Sequence, residues 1–332
     1  MADNNLFTLN FSHQYVADLC WLIEQPSLIS PCYFNNTLAN LYEKGIASTP
    51  CLPSQAHPEC WQTRMDKLNR APEKLIQFVE EKASKRVGFY FESLLSYVLN
   101  TYPEFDVIAE HLQVHHEGKT LGEIDFIYRD MNTNEVVHLE VAVKFYLGSE
   151  AWMNQTLPLR HWLGPMINDR LDLKTSHLTN HQSQISHSPV FQDYAQTNKL
   201  PIPTHQSVLL VGYLFRNPNQ HLSLPSGSAK EQDHRWFTLS SANEQLNKQH
   251  SYIILNKPYW LSKHHQKDNN LLFDQASLFN EVKKIMSKWH RPVLIASIDN
   301  QSDDGSLHHY TEDSRFFIVP DNWGGLSKPS QP

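Results

Sequence analysis

Five polar side chains interrupt what is otherwise an apolar β-hairpin, and their types suit metal and phosphate chemistry. Glu123 and Asp125 lie two apart in the run 120–128, and His138, Glu140 and Lys144 lie two and four apart in the run 136–145. Strand side chains alternate between faces, so each set shares one face of its strand. Carboxylates and a lysine on adjacent apolar strands are costly unless they are paired or used. Two acidic oxygen donors from neighbouring strands are also what a hard divalent cation such as magnesium takes. The structural alternative is a buried Asp125–Lys144–Glu140 ion network that holds the sheet together.

Two strands and a turn must position these groups. Ile124, Phe126 and Tyr128 form the apolar face of the first strand, and Val137, Leu139, Val141 and Val143 that of the second. Residues 130–134 (Asp-Met-Asn-Thr-Asn) are turn chemistry. Upstream, the spacing predicts a helix over 12–24 capped by Ser12, and a second over 72–84 with Pro72 in its first turn. Residues 35–72 read as a long loop with room for one short helix. A helix over 88–100 follows, with Phe91, Leu94, Leu95 and Val98 on its buried stripe and Glu92 on the flank of that stripe. A strand over 107–114 precedes the hairpin. Gly164-Pro165 opens a polar helix reaching Gln184, and 207–215 is a buried strand by its continuous apolar run. The remainder reads as strands near 251–255, 293–298 and 316–319 and a helix near 277–289, with polar linkers over 217–233 and 263–270.

Helix, three strands, helix, strand, with Glu92 in the first helix, Asp125 on the second strand and Glu140 on the third, resembles the PD-(D/E)XK nuclease superfamily over residues 88–215. The wording of the chain also resembles a bacterial family, domain-of-unknown-function family 1853, that is grouped with those nucleases. The phrases that carry this are GFYFE at 88–92, TLGEIDF at 120–126, HLEVAVKFYL at 138–147, Gly164-Pro165 with DRLD at 169–172, and EDSRFFIVP at 312–320 ending at Trp323. The resemblance implies an α+β protein with a restriction-endonuclease-like core, a mixed central sheet flanked by helices. Its segments would be an N-terminal helical lobe over 1–86, the core over 87–216 and a C-terminal α+β extension over 217–332.

Roles follow from the same resemblance. Asp125 matches the metal-binding aspartate, Glu140 the acid of the (D/E)xK element and Glu92 the helical glutamate that supports the metal. Gln182 stands where some members place a glutamine on the helix after the hairpin. Glu123 is named by strand parity alone, as a second metal ligand on the face of Asp125. Magnesium, or manganese, would polarise a scissile phosphate and lower the pKa of a water, and a lysine would stabilise the developing charge. The chain departs from the pattern at one point: Ala142 occupies the lysine position, and Lys144 follows two residues later. Parity keeps Lys144 on the face of Glu140, but its backbone starts about 6–7 Å further along the strand. Arg170 and Lys174, four apart on one helix, suit a phosphate backbone, or else pair with Asp169 and Asp172. Trp152, Trp162, Tyr146 and Phe145 are either base-stacking groups or core. His138 reads as a packed or hydrogen-bonded histidine at a sheet edge, with a site role the weaker alternative.

Three functions are consistent with this. One is a magnesium-dependent nuclease hydrolysing DNA. The alternative is a catalytically inactive nuclease-fold protein that binds nucleic acid or protein. A third is an enzyme of another class using the hairpin acids for acid–base work. With 28 Lys and Arg against 35 Asp and Glu, the net charge of −7 argues against a surface coated for nucleic acid, though not against a local basic groove. No apolar run approaches the ~20 residues of a membrane helix, and residues 1–5 lack a signal-peptide pattern, so the expectation is a cytoplasmic protein with no membrane partner. The four cysteines, Cys20, Cys32, Cys51 and Cys60, show no CxxC spacing and read as isolated thiols, with zinc on Cys51, His57 and Cys60 the weaker alternative. Phosphate-loop, dinucleotide, HExxH and GxSxG motifs are missing, and the HLE at 138–140 has no PCxxC to make a deaminase.

Overall fold

The computed structural model describes residues 11, 13–28, 47–48, 58–82, 84–116, 119–150, 158–225, 234–264, 272–298 and 312–325. They form two compact units: residues 1–143 with 173–211, and residues 144–172 with 212–332. Among the described residues there are eight α-helices and a mixed sheet, so the protein is α+β.

In the first unit, helix α1 (Gln14–Glu24) is capped by His13, whose ring accepts from the Tyr15 N–H, rather than by Ser12, which lies outside the described residues. A two-residue strand, β1 (Ala47–Ser48), pairs in parallel with Gln206 and Ser207. Helix α2 (Pro58–Arg70) is longer than the short helix allowed by the loop reading. The polar composition before it hid the signal, yet Trp61, Met65 and Leu68 recur at helical spacing and are all buried. Helix α3 (Glu73–Glu81) has Pro72 at its N-cap, and helix α4 (Val87–Thr101) buries Phe91, Leu94, Leu95 and Val98 as expected.

Strands β2 (Phe105–His116), β3 (Lys119–Asp130) and β4 (Val136–Gly148) form an antiparallel meander. The hairpin turn is held by Asp130, whose Oδ1 accepts from the Asn132 N–H at 2.8 Å, and by Asn134 in the left-handed region at φ +60°. The β3–β4 register runs from Arg129 opposite Val136 to Phe126 opposite Leu139. A short strand, β5 (Trp162–Leu163), belongs to the second unit.

The single helix expected over 164–184 is instead a turn, a helix and a 3₁₀ segment. Gly164 N–H donates to the Asp169 carbonyl at 2.8 Å, Ile167 N–H donates back to Gly164, and Ile167 takes φ +65°, which a helix cannot contain. Helix α5 (Leu171–Asn180) starts only after that turn, and the 3₁₀ segment Gln182–His187 follows it. Helix α6 (Pro189–Asn198) was not foreseen, although Ser188 caps it by accepting from the Phe191 N–H and Pro189 fills its first position. Strand β6 (His205–Arg216) then returns through the core.

In the second unit, β6 pairs in parallel with β7 (His234–Thr238), which, with helix α7 (Leu239–Gln245), lies between the expected linker and the expected strand near 251, where the sequence suggested no element. Strand β8 (Ser251–Ile254), helix α8 (Gln275–Trp289), strand β9 (Val293–Ile298) and strand β10 (Glu312–Val319) complete it, close to expectation. β10 lies between a parallel β7 and an antiparallel β9. Leu278, Phe279, Val282 and Met286 of α8 close over Tyr252, Ile295 and Phe316 of that sheet. Gly212 on β6 has φ +136°, and a Cβ there would lie 1.8 Å from the Lys144 carbonyl oxygen, so only glycine lets these two strands approach.

Candidate active site

The site is built where the β3–β4 ladder stops. Beyond Phe126 and Leu139, the Val141 N–H donates at 2.8 Å to the side-chain Oδ2 of Asp125. Asp125 thus takes over a backbone donor of β4, which fixes its carboxylate beside Glu140. Glu140 is fully buried. Its Oε1 lies 2.8 Å from His138 Nε2, and its Oε2 accepts from Gln182 Nε2 at 2.7 Å. His138 is also fully buried, and its Nδ1 lies 2.8 Å from the Ser186 hydroxyl. Burial holds the His138 imidazolium pKa down to about 3, so the ring is neutral and one nitrogen donates while the other accepts.

Gln182 joins this pocket to helix α5. Its Oε1 accepts from Lys174 Nζ at 3.1 Å and lies 2.9 Å from His177 Nδ1, whose ring stacks on His181. Glu92, from α4, completes the acidic group. Burial, then the charge of Asp125, push its carboxyl up to about 7. Burial, followed by the charge of Glu140, likewise lifts Asp125 far above the ordinary carboxylate range. Burial lifts Glu140 as well, with Lys174 pulling the other way. Two carboxyls this close titrate as a pair, and a low-dielectric site resists charging both. Lys174 favours the ionised form of all three acids, and His111 that of Glu92 and Asp125.

Of the residues singled out from sequence, Asp125, Glu140, Glu92, Gln182, Lys174 and His138 converge in the first unit. Glu123 is on the same strand face as Asp125 but half-exposed, with its carboxylate toward His111 at 3.5 Å and Gln113 at 3.4 Å. Lys144 belongs to the second unit, where its ammonium meets Asp169 at 2.6 Å, so it is not the tie between Asp125 and Glu140 that an ion network would need. Arg170 makes a two-pronged pair with Asp172 at 2.5 and 3.0 Å, the ion-pair outcome weighed for it. Lys174 does not follow Arg170 and turns to Gln182. Trp162, Tyr146 and Phe145 are core of the second unit, whereas Trp152, Cys51 and His57 lie outside the described residues.

Three participants escaped sequence reasoning. Ser186 and His177 carry no signal, because a serine and a histidine in a polar helical stretch look solvated. His111 sits in the left-handed region at φ +49° within β2, which no spacing reveals. Among the described residues, no three His, Cys, Asp or Glu side chains form a closed metal-binding group. Asp125 and Glu140 are hard oxygen donors, the type that a cation such as magnesium takes.

No curated protein and no solved structure matches the chain. A family model does, over residues 17–319, and it carries the description domain of unknown function, DUF1853. That span covers most of the 332 residues, and the chain belongs to this family.

Proposed function

We propose that the protein is a magnesium-dependent phosphodiesterase of the PD-(D/E)XK type acting on DNA, with Asp125 and Glu140 as its metal ligands. The observation that supports this reading is the convergence of three carboxyls, Glu92, Asp125 and Glu140, each raised by burial. Acids held this way are a standing cost to the fold unless a cation offsets them. Asp125 holds one oxygen on the Val141 N–H, and Glu140 is held by His138, Gln182 and Asp125 in one buried group. Magnesium bound there would polarise the phosphate and acidify a water. His138 and Gln182 fix the Glu140 plane from both sides, and Glu92, whose pKa lies near neutrality, can exchange a proton with solvent at working pH. Net hydrolysis adds water across one P–O bond: the water oxygen bonds to phosphorus and the leaving oxygen departs with a proton.

One observation favours a second reading. Both Glu140 oxygens already hold hydrogen bonds in a buried network, which equally suits a nuclease-fold binding module without catalysis. The deciding experiment measures magnesium- and manganese-dependent cleavage of mixed DNA and RNA by the wild type and by D125A/E140A. Cleavage by the wild type alone is the expected result. No cleavage by either protein, with either metal, would favour the binding module.

A further inference from the structure

We infer that Lys174, on helix α5, is the lysine of this site, supplying from a helix the charge that the strand omits at Ala142. The inference rests on the phosphodiesterase reading for its role at phosphate, and on geometry for its place. Lys174 Nζ donates to Gln182 Oε1 at 3.1 Å, and Gln182 Nε2 donates to Glu140 Oε2 at 2.7 Å, so a single amide links the ammonium to the acid. The polarity of that link is fixed, because an ammonium only donates and the amide oxygen only accepts. Lys174 also acts electrostatically on Glu92, Asp125 and Glu140 alike, favouring the ionised form of each. Ala142, two residues beyond Glu140, is buried and brings no charge of its own to the strand. Lys144, the strand candidate, is committed to Asp169.

The role assigned to the ammonium is electrostatic. Its work is to meet the negative charge that builds on the phosphate oxygens, so its loss falls on kcat more than on KM. The test compares wild type, K174M, K174R, K144M and A142K/K174M, each checked for an intact melting transition. K174M is expected to lose ~10²-fold or more in kcat. K174R should retain part of the rate, and A142K should restore activity to K174M by returning the charge through the strand. Wild-type kcat in K174M, with the loss confined to K144M, would overturn the inference. Calorimetric Mn²⁺ binding separates the two claims. If Lys174 serves the acids, K174M binds Mn²⁺ more tightly than wild type at a pH above the carboxyls' range, where both proteins hold them ionised and only the competing positive charge has gone. Unchanged Mn²⁺ affinity would remove Lys174 from the site. Tighter Mn²⁺ binding by K174M, with no cleavage by the wild type, would overturn the phosphodiesterase reading and keep the lysine where it is placed.

Discussion

The two units each bury charged groups, and they do so in opposite ways. In the second unit, Arg315 is almost fully buried and every branch of its guanidinium is used. It bonds both oxygens of Glu312 at 2.6 and 2.9 Å and the carbonyls of Trp260, Leu261 and Ser262, while Glu312 also accepts from the His264 N–H. One cation meets one anion, and fixed dipoles satisfy the rest. In the first unit, three carboxyls gather around one lysine and a neutral histidine. Balanced burial of charge holds loops to a strand. Unbalanced burial leaves acids whose pKa values are raised, and acids perturbed in this way cluster at functional sites.

The sharpest way to break this contrast is to unbalance the balanced site. R315M strands the Glu312 carboxylate, and should cost about 3–5 kcal/mol in denaturant unfolding. The pair replacement E312L/R315M should cost far less, and equal losses from both would mean that Glu312 is solvated once its partner goes. The reverse manipulation relieves the acid cluster. E92Q should raise the melting temperature at pH 8 by about 2–5 °C, because a neutral amide avoids charging a buried group. The sign follows from linkage. A carboxyl raised on folding contributes stability that is complete below its unfolded pKa near 4.5 and is lost as pH rises through its folded value near 7. The wild type should therefore lose stability between pH 5 and 8, E92Q should lose less, and parallel curves would show that Glu92 is not buried as described. Smallest of all is the effect of metal. Magnesium at ten times its Kd should stabilise the wild type by about 1.4 kcal/mol, more at pH 8 than at pH 5.5, and should do nothing for D125A/E140A.

Much of this was legible in the chain because strand parity is strict. Period-two alternation placed Asp125 and Glu140 on one face of a hairpin, whereas the stripe of α4 left Glu92 on its flank and only the family resemblance pointed to it. What was not legible depended on groups outside any period. Ile167 in a left-handed conformation broke the expected polar helix, and that break gives Arg170 and Lys174 different partners despite their i, i+4 spacing. Strand β7 was hidden because its five residues, HRWFT, follow a polar stretch and are too short to set a pattern of their own. The lysine question turned on the same limit, since parity puts Lys144 on the correct face yet says nothing about Asp169 waiting for it.

The buried chain Ser186–His138–Glu140 makes one imidazole a reporter of its neighbour. An ionised Glu140 can only accept, so His138 then carries its proton on Nε2 and receives the Ser186 hydroxyl proton at Nδ1. A protonated Glu140 donates from Oε1, and the ring must answer by accepting at Nε2 and donating from Nδ1 to Ser186. The serine, the ring and the acid reverse direction together, with no heavy atom required to move. The ¹⁵N shifts of a single side chain would therefore announce, as a tautomer switch, the arrival of any cation that strips the proton from Glu140.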